Sequence, residues 1–392
     1  MRATIEAAAP GAEANQRTRG PEVSVVIPCL NEGRTIAEAV RTAKLAFAGW
    51  PGGAEVIVAD NGSTDGSPEL ALGAGARVVP AHEQGYGAAL QAGFAASRGQ
   101  YIVYADADST YDFREAPPLA TALRDLDADM VLGSRMRGRI EPGAMPLLHR
   151  AVGTPVLTWL INRLFGGRLT DCNSGFRALR RDRLAAWGAS STGMEFASEI
   201  LVQALGRGAT IVEVPVTLRR DCGNRRPHLK TWRDGMRHLL TILARAPWLF
   251  VNAGVATVVL SALIAIACAF GPRVLLGTFS VFDYHTLIFA SLLGFTGTQI
   301  LGTGLLLHLR RPIGMGRLGA ILLGMNEGVL FWGLVATVAV VSGGAGFVAW
   351  SWARHGFANI GFLKFTLFLL YGATVMGSAG MSIFHTHLLK RG

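Results

Sequence analysis

Cysteine is scarce in this sequence: four in 392 residues, at Cys29, Cys172, Cys222 and Cys268. They make no CxxC pair and join no His/Cys cluster, which excludes a zinc-finger type of site and a disulfide framework. Charge is also thin, at 16% of residues. Up to about Ala246 the chain is an ordinary globular mixture, and beyond it charged side chains become sparse. Acids are outnumbered, 27 Asp and Glu against 37 Lys and Arg, a net charge of +10. That excess suits a protein lying against anionic lipid or taking phosphorylated ligands. Residues 1–20 lack any apolar run. They read as a disordered leader rather than a signal peptide.

Two patterns fill the rest. Short β-branched runs alternate with amphipathic stretches from Glu22 to about Gly133. "VSVVIP" (Val23–Pro28), "AEVIVAD" (Ala54–Asp60), "ARVVP" (Ala76–Pro80), "YIVYAD" (Tyr101–Asp106) and "DMVLGS" (Asp129–Ser134) read as strands. Arg34–Phe47 and Gly85–Gly99 read as helices. Such alternation predicts a mostly parallel, doubly wound α/β sheet, which binds ligands beyond the carboxyl ends of its strands.

The second pattern is four apolar stretches, Trp248–Phe270, Tyr284–Leu307, Gly328–Trp350 and Phe365–Ile383, none with an Asp, Glu, Lys or Arg. About 20 apolar residues span a bilayer core, so four transmembrane helices are expected. Arg310, Arg311 and Arg317 lie in one connection and Lys390 and Arg391 in the tail; the other two connections hold Arg273, Arg354 and Lys364. This asymmetry puts both termini in the cytoplasm. Val152–Gly167 and Lys230–Ala246 are amphipathic and suit either membrane-interface helices or core-facing ones. The expected organisation is therefore a leader (1–20), a catalytic domain (21–229) with an interface helix near 152–167, an interface helix (230–246) and a four-helix membrane domain (247–392). Membrane lipids are partners on this reading, nucleic acid is not, and a homo-oligomer is compatible with the spans.

The motifs fall at strand ends. "YADADSTYD" sets Asp106 and Asp108 two residues apart after a buried strand. Carboxylates there repel one another unless a cation lies between them, and Mg²⁺ or Mn²⁺ prefers one or two carboxylates plus phosphate oxygens. A solvated acidic turn would share this spacing. "VIPCLNEG" places Glu32 after the first strand, and "VADNGSTDGS" brings Asp60, Asn61 and Ser63 to the end of the second. These offer donors and acceptors to a nucleobase or ribose, although Asn-Gly and Asp-Gly are also ordinary turn residues. Arginines crowd the stretch from Arg135 to Arg183, and guanidinium groups are suited to a phosphate monoester.

Taken in order, "VVIPCLNEG", "VADNGSTDGS", "GYGAALQAGFAASRG", "YADADSTYD", "LGSR" and "DCNSGFRALRR" resemble a family-2 glycosyltransferase of the GT-A fold. They are most similar to the dolichyl-phosphate mannose synthase and polyprenyl-phosphate glycosyltransferase branch. The resemblance implies that Pro28, Asn31, Glu32 and Asp60 hold the nucleotide, and that Asp106 and Asp108 bind Mg²⁺ or Mn²⁺ against the diphosphate. It also implies that Arg135 and Arg150 take the lipid phosphate. The chain departs from the family pattern at Asn61, at Ser109–Thr110 and at Pro227–Leu229. The implied reaction is inverting transfer of a hexose from UDP-glucose or GDP-mannose to polyprenyl or dolichyl phosphate at the cytoplasmic membrane face. Asp171 in "TDCNSGF" would orient acceptor or sugar, or act as an optional base, because an ionised phosphate needs no strong one. Two alternatives stay open. A processive polysaccharide synthase usually carries Gln-x-x-Arg-Trp, which is absent here, and a non-catalytic membrane scaffold would not need Asp106 and Asp108.

Overall fold

The computed structural model describes residues 20–221, 231–275, 279–310, 316–354 and 363–391. The leader up to residue 19, Cys222, Arg311 and Pro227–Leu229 lie outside the described residues. The chain divides into two compact units, one ending at Ile242 and one starting at Leu243.

The first unit is an α/β domain. Its strands are β1 (Val23–Cys29), β2 (Ala54–Asp60), β3 (Arg77–Pro80), β4 (Tyr101–Tyr104), β5 (Met130–Ile140), β6 (Arg177–Arg180) and β7 (Ile211–Leu218). Its helices are α1 (Ile36–Ala46), α2 (Ser67–Gly73), α3 (Tyr86–Ala96), α4 (Ala116–Asp125), α5 (Thr154–Phe165), α6 (Arg181–Trp187), α7 (Phe196–Gly206) and α8 (Thr231–Ala244), the last running just past the unit boundary. The seven strands form one sheet in the order β3-β2-β1-β4-β6-β5-β7. All run parallel except β6, which is antiparallel to both its neighbours. One edge therefore collects the carboxyl ends of β1, β2, β4, β5 and β7, and every strand-end motif with them.

Burial explains why these segments pair. β1 is buried at every position, as expected for a central strand covered on both faces. α1 buries Ile36, Ala39, Val40 and Ala43, the i, i+3, i+4, i+7 stripe of an amphipathic helix. Burying each branched aliphatic side chain in this way contributes about 1.5–3 kcal/mol. The sheet has two strands more than the five expected from sequence. β6 is four residues long with arginine at both ends, so no apolar alternation announces it, and β7 breaks its run with Glu213 and Thr217. β5 also continues beyond Ser134 through "RMRGRI". That polar stretch stays extended because it pairs with β7 across a register shift between Ser134 and Arg139.

Inside this unit Arg177 is fully buried. Its guanidinium donates to three backbone carbonyls, Ser174 O at 2.8 Å, Ala197 O at 2.7 Å and Cys172 O at 3.0 Å. It thus ties the start of α7 to the loop entering β6. α5 buries Thr154, Thr158 and Ile161 while Val152, Val156 and Trp159 stay exposed. On α8, Met236 and Leu240 are exposed, whereas His238 is buried with Nδ1 2.8 Å from Ser198 Oγ.

The second unit contains α9 (Pro247–Ala269), α10 (Tyr284–Arg310), the short α11 (Gly316–Leu323), α12 (Glu327–Arg354) and α13 (Leu363–Arg391). Four of these helices are long and apolar enough to cross a membrane, so the protein is membrane-embedded. Small residues bring α9 and α10 together: a Cβ on Gly254 would stand 2.5 Å from the Leu301 nitrogen. Polar side chains in the spans find one another, with Ser261 Oγ 2.9 Å from Tyr371 Oη. Thr298 and Gln299 both donate to Ser378 Oγ at 2.9 Å. Lipid offers no alternative partner for such groups.

Replacing Arg177 by Met fills most of its volume but strands three carbonyls, those of Cys172 and Ser174 fully buried. An unsatisfied buried acceptor costs about 1–3 kcal/mol, so the variant should lose more than about 3 kcal/mol in urea unfolding followed by tryptophan fluorescence. A loss below about 1 kcal/mol would mean that the carbonyls find other donors.

Candidate active site

The first two loops at the carboxyl edge are stitched together. Asn31 takes a left-handed backbone (φ 56°) directly after β1, a conformation asparagine tolerates better than most residues. This turns its amide towards Ser63 Oγ (2.9 Å), while its side-chain oxygen accepts from Thr64 N (2.8 Å). Glu32 N donates to Ser67 Oγ and Gly33 N to Asp65 Oδ2, at 2.9 and 2.8 Å. The Asp60 carboxylate accepts from the amides of Gly62 and Ser63 at 3.1 and 3.2 Å. Pro28 is buried one position before the Cys29–Asp60 register pair. Asn61 is 8% exposed and spends its amide between Glu83 O (2.7 Å) and Gly85 N (2.7 Å). That joins β2 to the start of α3. Of the expected nucleotide residues, then, Asn31, Glu32, Asp60 and Ser63 share one rim, and Asn61 lies behind it as a brace.

Asp106 and Asp108 follow β4 at the same edge. Burial is the largest influence on Asp106, the neighbouring Asp108 charge adds to it, and together they push its carboxyl up to about 7. The Tyr86 hydroxyl, from the first turn of α3, hydrogen-bonds to Asp106, and Arg135 and Arg177 partly offset the shift. Asp108 is also raised, chiefly by burial and further by Asp221, although Thr110 donates to its Oδ1 from N (3.1 Å) and from Oγ1 (2.6 Å). Among the described residues no three His, Cys, Asp or Glu side chains are grouped to hold a metal by themselves. Two half-buried carboxylates that repel each other, with the remaining ligands left to phosphate and water, fit Mg²⁺ or Mn²⁺. Gly175 completes the cradle, since a Cβ there would stand 2.7 Å from Asp106 Oδ2.

Arg135 is paired within the domain. It does not project from β5 as an open arm. Its guanidinium is 11% exposed and forms a bidentate pair with the fully buried Asp171, Nε to Oδ2 at 2.6 Å and Nη2 to Oδ1 at 2.7 Å. The Arg135 backbone amide also donates to Oδ2 at 3.0 Å. Glu213 of β7 holds the preceding turn, accepting from Thr170 N (2.7 Å), Thr170 Oγ1 (2.8 Å) and Asp171 N (3.2 Å). The Asp171 carboxylate therefore accepts three hydrogen bonds from Arg135 alone. Arg150 is exposed in a wide helical turn, His149–Gly153, before α5.

Several participants were not visible in the motifs. Tyr86 lies between two glycines in "GYGAAL", and only the α3 geometry shows that it meets Asp106. Asp112 pairs with Arg114 (2.8 Å) and with Arg219 (2.5 Å), and Arg219 N donates to Thr110 O (2.8 Å), which pins the end of β7 to the acidic loop. Burial pushes the Cys29 and Cys172 thiols up to about 11, which disfavours the thiolate form.

A sheet of this order, with paired acids beyond its fourth strand and a loop-built rim beside them, marks the chain as a GT-A glycosyltransferase. The chain belongs to glycosyl transferase family 2, whose model matches residues 24–187. It is 40% identical over 282 residues to the low-salt glycan biosynthesis hexosyltransferase Agl6 of Haloferax volcanii, covering 72% of this chain and 67% of that one. A dolichyl-phosphate hexose transferase of the same organism is 36% identical over 174 residues, 44% of this chain and 73% of its own. Among solved structures, glucosyl-3-phosphoglycerate synthase from Mycobacterium tuberculosis matches at 26% identity and a TM-score of 0.48, covering 62% of this chain and 86% of that one.

Two outcomes follow from this geometry. A carboxyl raised from 3.8 to about 7 binds its proton more tightly in the folded than in the unfolded chain. The metal-free protein should therefore lose stability as pH rises from about 4 to about 7 and level off above that. Asp106→Asn should remove most of that slope and raise the melting temperature at pH 8 in EDTA, and an unchanged slope would refute the assignment. The second outcome concerns the buried pair. Arg135→Ala strands Asp171 and should cost about 3–5 kcal/mol in denaturant unfolding. Arg135→Met with Asp171→Leu should recover much of it. Equal losses in the single and double variants would show that the pair does not couple.

Proposed function

We propose that the protein is an inverting hexosyltransferase that moves one hexose from a nucleotide sugar to polyprenyl phosphate. The observation carrying this reading is the pair of half-buried, mutually repelling carboxylates, Asp106 and Asp108, beside the Asn31–Asp60–Ser63 rim in a chain with four membrane-length helices. Relatives described as a hexosyltransferase and as a dolichyl-phosphate hexose transferase support the sugar and the lipid acceptor. UDP-glucose and GDP-mannose are the donors proposed.

In this mechanism Pro28, Asn31, Glu32, Asp60 and Ser63 seat the nucleotide, with Asn61 bracing their loop. Asp106 and Asp108 would hold Mg²⁺ or Mn²⁺, which when bound neutralises charge building on the leaving diphosphate. Tyr86 and Thr110 fix the two carboxylates. Asp171, locked by Arg135 and Glu213, shapes the wall between donor and acceptor. Arg150 and the outer edge of the Arg135 guanidinium receive the acceptor phosphate. That phosphate is already ionised near neutral pH and attacks the anomeric carbon from the face opposite the leaving group, which inverts the centre. α5, with Val156 and Trp159 outward, and the apolar side of α8 lie in the membrane interface. The catalytic unit and both termini face the cytoplasm, where nucleotide sugars are made.

The test is direct. Purified protein incubated with polyprenyl phosphate, Mn²⁺ and UDP-glucose or GDP-mannose should yield a single glycosyl-lipid by mass spectrometry, and a polymer ladder or no lipid product would reject the reading. Asp108→Asn should lower turnover at least about hundredfold, as expected for loss of about 3 kcal/mol of transition-state stabilisation. Its melting temperature should be unchanged or higher. Turnover near the parent rate would remove Asp108 from the metal site.

A further inference from the structure

One polar side chain of the membrane unit faces outward. Gln299 is exposed on α10, a helix long and apolar enough to cross a bilayer. At about 1.5 Å per residue it stands about 16 Å along the axis from Arg310 and about 22 Å from Tyr284. That is mid-span, too deep for a glutamine side chain to reach either membrane surface. Its Nε2 donates to Ser378 Oγ at 2.9 Å, while the second N–H and Oε1 meet no partner among the described residues. A carboxamide left so in hydrocarbon is costly, because lipid tails carry neither donor nor acceptor.

The packing shows which side of α10 is spare. α9 approaches where a Cβ on Gly297 or Gly304 would stand 2.9 or 2.8 Å from the Val258 or Val251 nitrogen. α13 approaches at Thr298 and at Gly302, whose Cβ would stand 2.8 Å from Ser382 Oγ. Leu322, Leu323 and Met325, at the end of α11 and just beyond it, pack on Val251, Leu301, Leu305 and Ile383. The opposite side of α10 is bare, with Leu292, Phe295, Thr296, Gln299, Thr303 and Leu306 exposed. Thr296, Gln299 and Thr303 are three and four residues apart and so form one stripe. Both threonine hydroxyls are satisfied inside the helix, Thr296 by Leu292 O and Thr303 by Gln299 O, each at 2.9 Å. Within the stripe only Gln299 keeps unmet groups, and the short side chains beside it let another helix come close.

The chemistry selects the occupant. A polyprenyl chain offers no hydrogen-bonding group, and a lipid phosphate stays at the membrane surface. What Gln299 lacks is one acceptor and one donor, and a second carboxamide supplies both. Two copies related by a two-fold axis can exchange these bonds, the self-complementary contact of an isologous dimer. We propose that the Gln299 face of α10 docks a second copy of this chain within the membrane, the two Gln299 carboxamides hydrogen-bonding to each other.

The experiment reads association directly. Full chains carrying donor or acceptor fluorophores at the C-terminus are reconstituted together in phosphatidylcholine–phosphatidylglycerol vesicles, and energy transfer is followed as lipid is added. The parent should associate. Gln299→Leu should need about tenfold more protein per lipid to reach the same transfer, and Gln299→Asn, which keeps the carboxamide, should lose less. Thr296→Phe should also weaken association by holding the helices apart. Ser378→Ala deletes the hydrogen bond inside the chain but keeps the carboxamide, so it should associate like the parent. A parent that stays monomeric at every ratio would overturn the proposal, as would association unchanged in Gln299→Leu. Equal losses in Ser378→Ala and Gln299→Leu would also overturn it, making Gln299 a brace between α10 and α13. The readout needs no sugar transfer, so it stands apart from the hexose-transfer reading.

Discussion

Repulsion between two half-buried carboxylates is the constraint around which the catalytic unit is organised. Asp106 and Asp108 are placed where burial and like charge both oppose ionisation, a local instability that no folding requirement explains. The surroundings make it tolerable. Tyr86 donates to one carboxylate and Thr110 to the other, and the guanidinium groups of Arg135 and Arg177 lie within electrostatic reach of Asp106. Destabilised polar groups of this kind concentrate at functional sites, where a ligand supplies the compensating charge.

The two buried arginines have different tasks. Arg177 is bonded to backbone carbonyls and fixes loops. Arg135 is bonded bidentately to Asp171 and fixes a side chain. Both are engaged within the fold. An arginine-rich stretch is thus not one electrostatic surface: some of its charges are spent inside the fold, and others, such as Arg150, stay exposed. The same holds for the acids. Asp65, Asp112 and Glu213 are consumed in tying loops together, whereas Asp106 and Asp108 oppose each other's charge.

The membrane unit follows a separate logic. Its helices keep their few polar groups facing one another and approach closely at small residues such as Gly254. Here composition is informative because the solvent is uniform: lipid rewards apolar length and penalises unpaired polarity. In the catalytic unit polar residues serve several ends at once, and composition tells less.

The sequence by itself determined the α/β alternation, the gathering of the motifs at strand ends, the acidic pair after β4 and the four apolar, membrane-length helices. Each rests on a local periodicity or on a run of apolar residues, and local signals survive without knowledge of the partners. It did not reveal β6, β7 or the continuation of β5 through its arginines, because those segments are extended by strand pairing rather than by their own apolar pattern. Nor could it tell that Asn61 is a brace, that Arg135 closes on Asp171 across 36 positions, or that Tyr86 meets Asp106. Those facts depend on which donor finds which acceptor across distant segments. Only the tertiary structure decides that, since a buried polar group takes its role from the partner that the fold brings to it.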